Sequence, residues 1–483
     1  MKLKHLLKNL ENIEVKGSKH VDITGLSSNS KTIVPGNLFV AKKGFSSDGA
    51  VYIDEAIASG AAAVITDVYN PFLQKDVAQV ITPNVKLLEG VLADRFYGSP
   101  STQLFMVGVT GTSGKTTTTF MIRDMMEKLH SKCGLIGTVE WVVGDQVLPS
   151  TMTTPDVITN HKLLKEMLDH KCNAAVMEVS SHALTQLRVD RIDFDVAVFT
   201  NLSRDHLDYH KDMEEYAKAK ALLFSSLQDP KKIAVINADS EYAEHMTAST
   251  KATIIRYGVH SSADLYASDI ELSALGVRFN VKYKGKSYPF VSSLIGHFNV
   301  YNLLACMGVG IAKGFSLEDI IQALTTFSEV PGRLQKVPNT KGYHIFVDYS
   351  HKPDALENVL KALLQFKKGR LICLFGCGGN RDAGKRPLMG KIAQMFSDEV
   401  FITTDNPRSE DPLQIIHDIL QGIENRSKVL VEPDRREAIK KAISRMKEED
   451  ILLIAGKGHE TYQIFSFGVE DFDDLLVAQQ YCK

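Results

Sequence analysis

Residues 104–129 read LFMVGVTGTSGKTTTTFMIRDMMEKL. An apolar run empties into a glycine-bearing turn, which opens a stretch free of Gly and Pro whose apolar residues recur at helical spacing. No other feature limits the fold so sharply, because strand, turn and helix in this order belong to a parallel α/β sheet with its ligand at the carboxyl edge. Backbone N–H groups of this loop can point at phosphates at the helix N-terminus. Lys115 neutralises β and γ charge, and the Thr116 hydroxyl is a magnesium ligand. The loop departs from the strict GxxxxGK[ST] template: Val109 occupies the place of the first glycine, and Gly111 is added.

The same rhythm runs through the whole chain. Short apolar runs alternate with helical patterns from about residue 20 to 95, with a helix from Asp54 ended by Gly60. YGSPSTQ (97–103) is a turn-rich break. AAVMEV (174–179), DVAVFTNL (195–202) and KIAVIN (232–237) then continue a parallel sheet. After SEVPGRLQ (328–335) the pattern restarts with HIFVDYS, RLICLFGCGG, EVFITTDNP and DILLIAGKG, each strand ending in a loop bearing Gly, Asp or His. With 483 residues and roughly 150 per domain, three α/β domains are expected. Their bounds are 1–99, 100–332 with the phosphate loop, and 333–483, which is Rossmann-like.

A net charge of -2 provides no basic field for nucleic acid or an anionic membrane, so small molecules are the expected partners. No run of 18 apolar residues predicts a membrane span, and MKLKHLLKNLENIEV predicts a short amphipathic helix rather than a signal segment. Six cysteines without CxxC pairing fit a reducing cytoplasm.

Further chemistry-bearing residues stand at strand ends. Glu178 in VMEVSSH is placed for a second magnesium ligand, or is a solvated glutamate. NLSRDHLDYH (201–210) groups Asp205, His206, Asp208 and His210 without the spacing of a zinc hydrolase, so metal loop and polar surface loop both stand. YAKAKALLF (216–224) reads as a helix with Lys218 and Lys220 on different faces, and by residue type alone it is an exposed basic helix. FGCGGNRDAGKRP (375–387) is not GxGxxG, since Arg381 replaces the third glycine. TTDNPRSEDP offers Arg408 beside Asp405 and Asn406, and AGKGHETY offers Glu460. Arg381, Arg408 and Glu460 suit a zwitterion, guanidinium forks on carboxylates and a carboxylate on an ammonium; three unrelated surface loops are the alternative.

Taken in order, TGTSGKTTT, EVSSHAL, LSRDHLDYH, GHFNVYN, PGRLQ, DYSHKPDAL, GGNRDAGKRP and DNPR resemble the Mur ligase family over nearly the whole chain. The family carries TGTxGKT, which accounts for the loop. The resemblance implies an ATP-dependent ligase adding meso-diaminopimelate to UDP-N-acetylmuramoyl-L-alanyl-D-glutamate through an acyl phosphate, in cytoplasmic peptidoglycan precursor synthesis. It assigns Thr116 and Glu178 to one magnesium ion and His206 to a second, and makes Lys220 a lysine carbamylated by carbon dioxide that supports this ion. It puts Gly111, Thr112, Ser113, Gly114, Lys115, Thr116 and Thr117 on the ATP phosphates, and Asn302, Arg333 and Asp348 around adenine and ribose. Ser30, Ser46, Thr153, Thr154, Ser180, Gln186 and Arg188 would contact the UDP-sugar dipeptide. Arg381, Asp405, Asn406, Pro407, Arg408, Gly456 and Glu460 would contact diaminopimelate. NSK (29–31) stands where many relatives have DSR. The alternatives are the L-lysine-adding ligase of the family, folylpolyglutamate synthetase, and a nucleotide-dependent switch, although no DxxG or NKxD follows the loop.

Overall fold

A computed structural model describes residues 1–44, 47–73, 76–260 and 263–482. The chain forms two compact units, residues 1–257 with 305–320, and residues 258–304 with the chain from 321 onward.

The first unit holds a small sheet in the order Glu14–Lys16, Ala78–Ile81, Ala63–Thr66, Asn37–Val40, Gly25–Ser27. All pairs are parallel except the edge strand Glu14–Lys16. Leu38 and Val40 bury one face against Leu88 and Leu92 of the helix Val85–Tyr97, and Phe39 and Val64 bury the other against Ile53 and Ala56. Both faces are covered, so the strands read as continuous apolar runs. The amphipathic start is only one turn of helix, Leu3–Leu6, with Leu3, Leu6 and Leu7 buried.

The same unit holds the sheet of the phosphate loop. Its parallel core runs Thr253–Gly258, Ile233–Asn237, Val196–Phe199, Phe105–Thr110, Ala174–Glu178, Cys133–Ile136. Two short antiparallel strands, Glu140–Val143 and Gln146–Pro149, extend it beyond Cys133–Ile136. The first strand in sequence, Phe105–Thr110, lies between Ala174–Glu178 and Val196–Phe199, so the chain winds to one side of it and then to the other. Ligands of open α/β sheets bind at such a switch, outside the carboxyl ends. Those ends carry Gly111–Thr116, Glu178 and Thr200–Asn201.

The second unit holds an antiparallel meander, Leu265–Ser273, Gly276–Tyr283 and Lys286–Ser292, which the alternating-run reading does not anticipate. Its main sheet runs Gln335–Lys336, His344–Asp348, Ile451–Ala455, Leu371–Phe375, Glu399–Ile402, Val429–Val431, parallel except for the first strand. The period of two is explicit: Phe346, Cys373, Phe375 and Leu453 bury one face, and Ile345, Val347, Ile372, Leu374 and Leu452 the other. Carboxyl ends carry Asp348, the glycines from 376, Asp405–Arg408 and Gly456.

Candidate active site

The phosphate loop leaves a fully buried strand and turns at Gly111, φ 153°, and Gly114, φ 85°. A Cβ at Gly111 would overlap the Thr200 hydroxyl, so only glycine fits. The loop is tied to the neighbouring strand end: Thr112 N–H donates to the Asn201 carbonyl at 2.9 Å, Ser113 N–H to Asn201 Oδ1 at 2.9 Å, and the Thr200 hydroxyl to the Ser113 carbonyl at 2.7 Å. Val109 is still inside the strand, paired in register with Glu178 and fully buried, which explains why a side chain stands where the strict template has glycine. Lys115 curls over its own loop, donating to the Gly111 and Thr112 carbonyls at 2.9 and 3.0 Å. Thr116 and Thr117 are buried in the first turn of the helix Lys115–Lys128.

Glu178 is buried rather than solvated. Its Oε2 accepts from the Thr116 and Thr138 hydroxyls, both at 3.1 Å, and its Oε1 from Thr138 N–H at 2.8 Å. The Thr138 hydroxyl lies 3.0 Å from that of Thr153. Thr154 donates to the Glu178 carbonyl at 2.8 Å and lies 3.4 Å from Ser180 Oγ, which caps the helix Ser181–Thr185. Arg188 holds Gln186 Oε1 through Nε at 3.1 Å and Nη2 at 2.7 Å, and donates to the Thr154 carbonyl at 3.0 Å. Gln186 in turn donates to the Tyr209 hydroxyl at 3.3 Å. Thr153, Thr154, Ser180, Gln186 and Arg188 therefore form one polar wall continuous with the phosphate loop. Ser30 is buried in the small sheet's domain and donates to Glu55 at 2.8 Å. Ser46 lies outside the described residues.

The exposed-helix reading fails for Lys220 and holds for Lys218. On the helix Met213–Ser225, Lys218 is 72% exposed and paired with Glu214, whereas Lys220 is buried and donates to the Gly111 carbonyl at 2.8 Å. Its ammonium would lie 4.5 Å from the Tyr216 ring centre. Burial first, and then the charge of Lys115, push the Lys220 amine well below the usual lysine range, against the pull of Asp205. His206 adopts φ 55° and stacks edge-on to His182 at 4.8 Å, with its Nε2 3.4 Å from Asp205. His210 is buried on the Ser181 hydroxyl at 2.9 Å. Among the described residues no group of three or more His, Cys, Asp or Glu is arranged around a metal position. The oxygen pair Thr116 and Glu178 does suit magnesium, which prefers few protein oxygens and keeps its waters.

In the second unit, Asn302 donates to Asn299 at 3.0 Å, and Asn299 to the Ile295 carbonyl at 2.9 Å. Arg333 stacks 5.1 Å from the Tyr349 ring. Asp348 accepts from Leu334 N–H at 2.7 Å and from the Ser350 hydroxyl, and burial raises its carboxyl above the usual range. A cavity of about 330 Å³ is lined by Asn299, Arg333, Leu275, Leu294, Ile295 and Leu334, at the small end of ligand clefts of about 300–1,000 Å³. Asn302 stands behind Asn299 rather than in the lining.

The loops after three strands of this unit meet. Gly379 N–H donates to the Asn406 carbonyl at 2.9 Å, and Arg408 Nη1 to the Gly379 carbonyl at 2.7 Å. A Cβ on Gly378 would lie 3.0 Å from Arg408 Nη1 and 3.9 Å from Arg381 Cγ, which places the Arg408 guanidinium and the Arg381 stem beside one glycine. Pro407 is buried, and its carbonyl accepts from Glu410 N–H at 3.1 Å. Gly456, φ 114°, leaves room for Asp405, whose Oδ2 would lie 2.7 Å from any Cβ there. Asn406 donates to Glu460 Oε2 at 2.8 Å. Three residues were not singled out from the sequence: Thr138, Tyr209 and Lys457. Lys457 is fully buried and reaches Asn406, Glu460 and the Tyr462 carbonyl. A lysine between two glycines at a strand's carboxyl end was the available signal.

Residues 22–96 match the Mur ligase family catalytic domain, 109–310 the Mur ligase middle domain, and 332–458 the Mur ligase glutamate ligase domain. The chain belongs to the Mur ligase family and is an ATP-dependent, amide-forming ligase. Within the family it is similar to enzymes named UDP-N-acetylmuramoyl-L-alanyl-D-glutamate--2,6-diaminopimelate ligase. That of Geobacillus kaustophilus is 45% identical, covering 100% of this chain and 99% of the relative, and that of Geobacillus thermodenitrificans is 44% identical with the same coverage. A solved structure bearing the same name superposes with a TM-score of 0.72 at 34% identity, covering 100% of this chain and 98% of that one.

Proposed function

We propose that this chain joins meso-diaminopimelate to the D-glutamate γ-carboxylate of UDP-N-acetylmuramoyl-L-alanyl-D-glutamate, converting ATP to ADP and phosphate. The observation that carries the reading is the unbroken chain Thr116–Glu178–Thr138–Thr153, which links the phosphate loop to the wall assigned to the dipeptide. On this reading the phosphoryl donor and the carboxylate acceptor would lie side by side. Residues 1–99 would bind the UDP end, 100–332 the nucleotide phosphates and dipeptide, and 333–483 the amino acid.

In the first step the γ-carboxylate attacks the γ-phosphorus of ATP, forming an acyl phosphate and releasing ADP. Lys115, freed from its own loop carbonyls, follows the phosphoryl charge, and the N-terminus of Lys115–Lys128 holds the β-phosphate. Arg188, fixed by Gln186, holds an anionic part of the dipeptide substrate. Magnesium would be held by Thr116 and Glu178, and a second ion by His206 with carbamylated Lys220; both would supply positive charge against the transferring group. Lys220 suits carbamylation because burial lowers its amine's hold on a proton and so favours the free amine that carbon dioxide requires, and the resulting anion would sit beside Lys115. In the second step the diaminopimelate amine attacks the acyl carbon and phosphate leaves.

Arg333, Asn299 and the cavity beside them suit the nucleotide base, with Asn302 and Asp348 behind. Arg408 clamps the distal carboxylate of diaminopimelate, with Arg381 nearby, and Asp405, Gly456 and Glu460 receive the ammonium. Lysine would instead present an ammonium to Arg408, which disfavours it. Six buried free cysteines suit the reducing cytoplasm. The test is phosphate release from ATP with neither, one or both acceptor substrates. Turnover that requires both, with the amide product detected by mass, supports the reading; turnover independent of them contradicts it.

A further inference from the structure

Lys457 lies outside every role assigned above, yet it is the most enclosed cation near the amino-acid loops. Its Nζ has three acceptors: Tyr462 carbonyl at 2.5 Å, Glu460 Oε2 at 3.2 Å and Asn406 Oδ1 at 3.3 Å. Asn406 Oδ1 also accepts from Ile464 N–H at 3.0 Å, so the amide orientation is set and its Nδ2 must face Glu460. Glu460 Oε2 thus receives two protein donors, Asn406 Nδ2 and Lys457 Nζ. Its Oε1 has no protein donor among the described residues, and the side chain is 18% exposed.

We infer that Lys457 is a positioning residue of the amino-acid site, locking Asn406 and one oxygen of Glu460 so that the other oxygen, Oε1, is presented to the substrate ammonium. The Asn406 side chain thereby acts on Glu460. Without the ammonium, the three acceptors face one another with no shared donor, and Glu460 is free to turn its charge toward the Asn406 amide alone. The inference rests on the proposed diaminopimelate site.

The experiment is steady-state kinetics of Lys457→Met, with the wild type assayed first for diaminopimelate-dependent turnover. Expected is a roughly tenfold or larger rise in KM for diaminopimelate. KM for ATP and for the UDP-dipeptide stays within about twofold and kcat within about threefold, a split that general loss of structure does not produce. In a Glu460→Gln background the same change adds less than about threefold, because Lys457 acts through that carboxylate. If Lys457→Met does not fold, Lys457→Gln, which keeps a donor toward Tyr462, replaces it. An unchanged diaminopimelate KM, a uniform loss across all substrates, or failure of both variants to fold overturns the positioning role. Wild-type turnover without diaminopimelate overturns the site reading itself, and with it this inference.

Discussion

Arg408→Ala should cost diaminopimelate far more than it costs lysine. The guanidinium uses Nη1 on the Gly379 carbonyl at 2.7 Å, while Nε and Nη2 have no acceptor among the described residues and form a free fork edge. A carboxylate docked there takes two charge-assisted hydrogen bonds of about 1.5–3 kcal/mol each, less in a half-buried setting, so about 2–4 kcal/mol is at stake. At about 1.4 kcal/mol per decade that is roughly 30- to 1,000-fold in kcat/KM for diaminopimelate. Lysine lacks the second carboxylate and should change by less than about threefold on the same arithmetic. The lost backbone contact costs about 1 kcal/mol of stability, within the margin of a folded domain. Phosphate release at varied amino-acid concentration measures both values, and an unchanged diaminopimelate-to-lysine ratio refutes the clamp.

Lys220→Ala should abolish turnover, and a small carboxylate added in solution should restore part of it; wild-type activity in the variant refutes a carbamate role. Gly111→Ala forces a side chain onto the Thr200 hydroxyl at φ 153° and should cost about 2–4 kcal/mol in a denaturant titration, with loss of ATP turnover. Burial holds the His351 and His459 imidazoles down to about 4 from 6.5, so both are neutral in the fold. The unfolded chain binds their protons first, so stability is full above pH 6.5, declines as pH falls, and has lost at most about 3 kcal/mol per imidazole below pH 4. Urea midpoints at pH 7.5 and 4.5 should fall less for His351→Asn than for the wild type.

Strand runs such as VMEV and LICLF were legible because both faces of a parallel strand are buried, and the loops after them follow from the sheet's polarity. The hairpin strands within 140–149 and 265–292 were not read, since the buried run Trp141–Val143 is only three residues long and the longer strands interleave buried with exposed residues instead of forming a run. Lys220 illustrates a signal present but outweighed: Tyr216, Lys220 and Phe224 recur every four residues on the buried face, whereas residue type alone says exposed. Thr138 lies 40 residues from Glu178, and Lys457 lies 51 from Asn406. Contacts at such separations leave no local pattern, so packing alone reveals Thr138, whereas Lys457 carried one signal, its place between two glycines at a strand's carboxyl end.

The central claim is that the γ-phosphoryl group passes through the substrate carboxylate. UDP-N-acetylmuramoyl-L-alanyl-D-glutamate labelled with heavy oxygen in its γ-carboxylate, incubated with ATP and diaminopimelate, should yield phosphate carrying labelled oxygen from the acyl C–O bond in step with amide formation. Amide formed with unlabelled phosphate would contradict it.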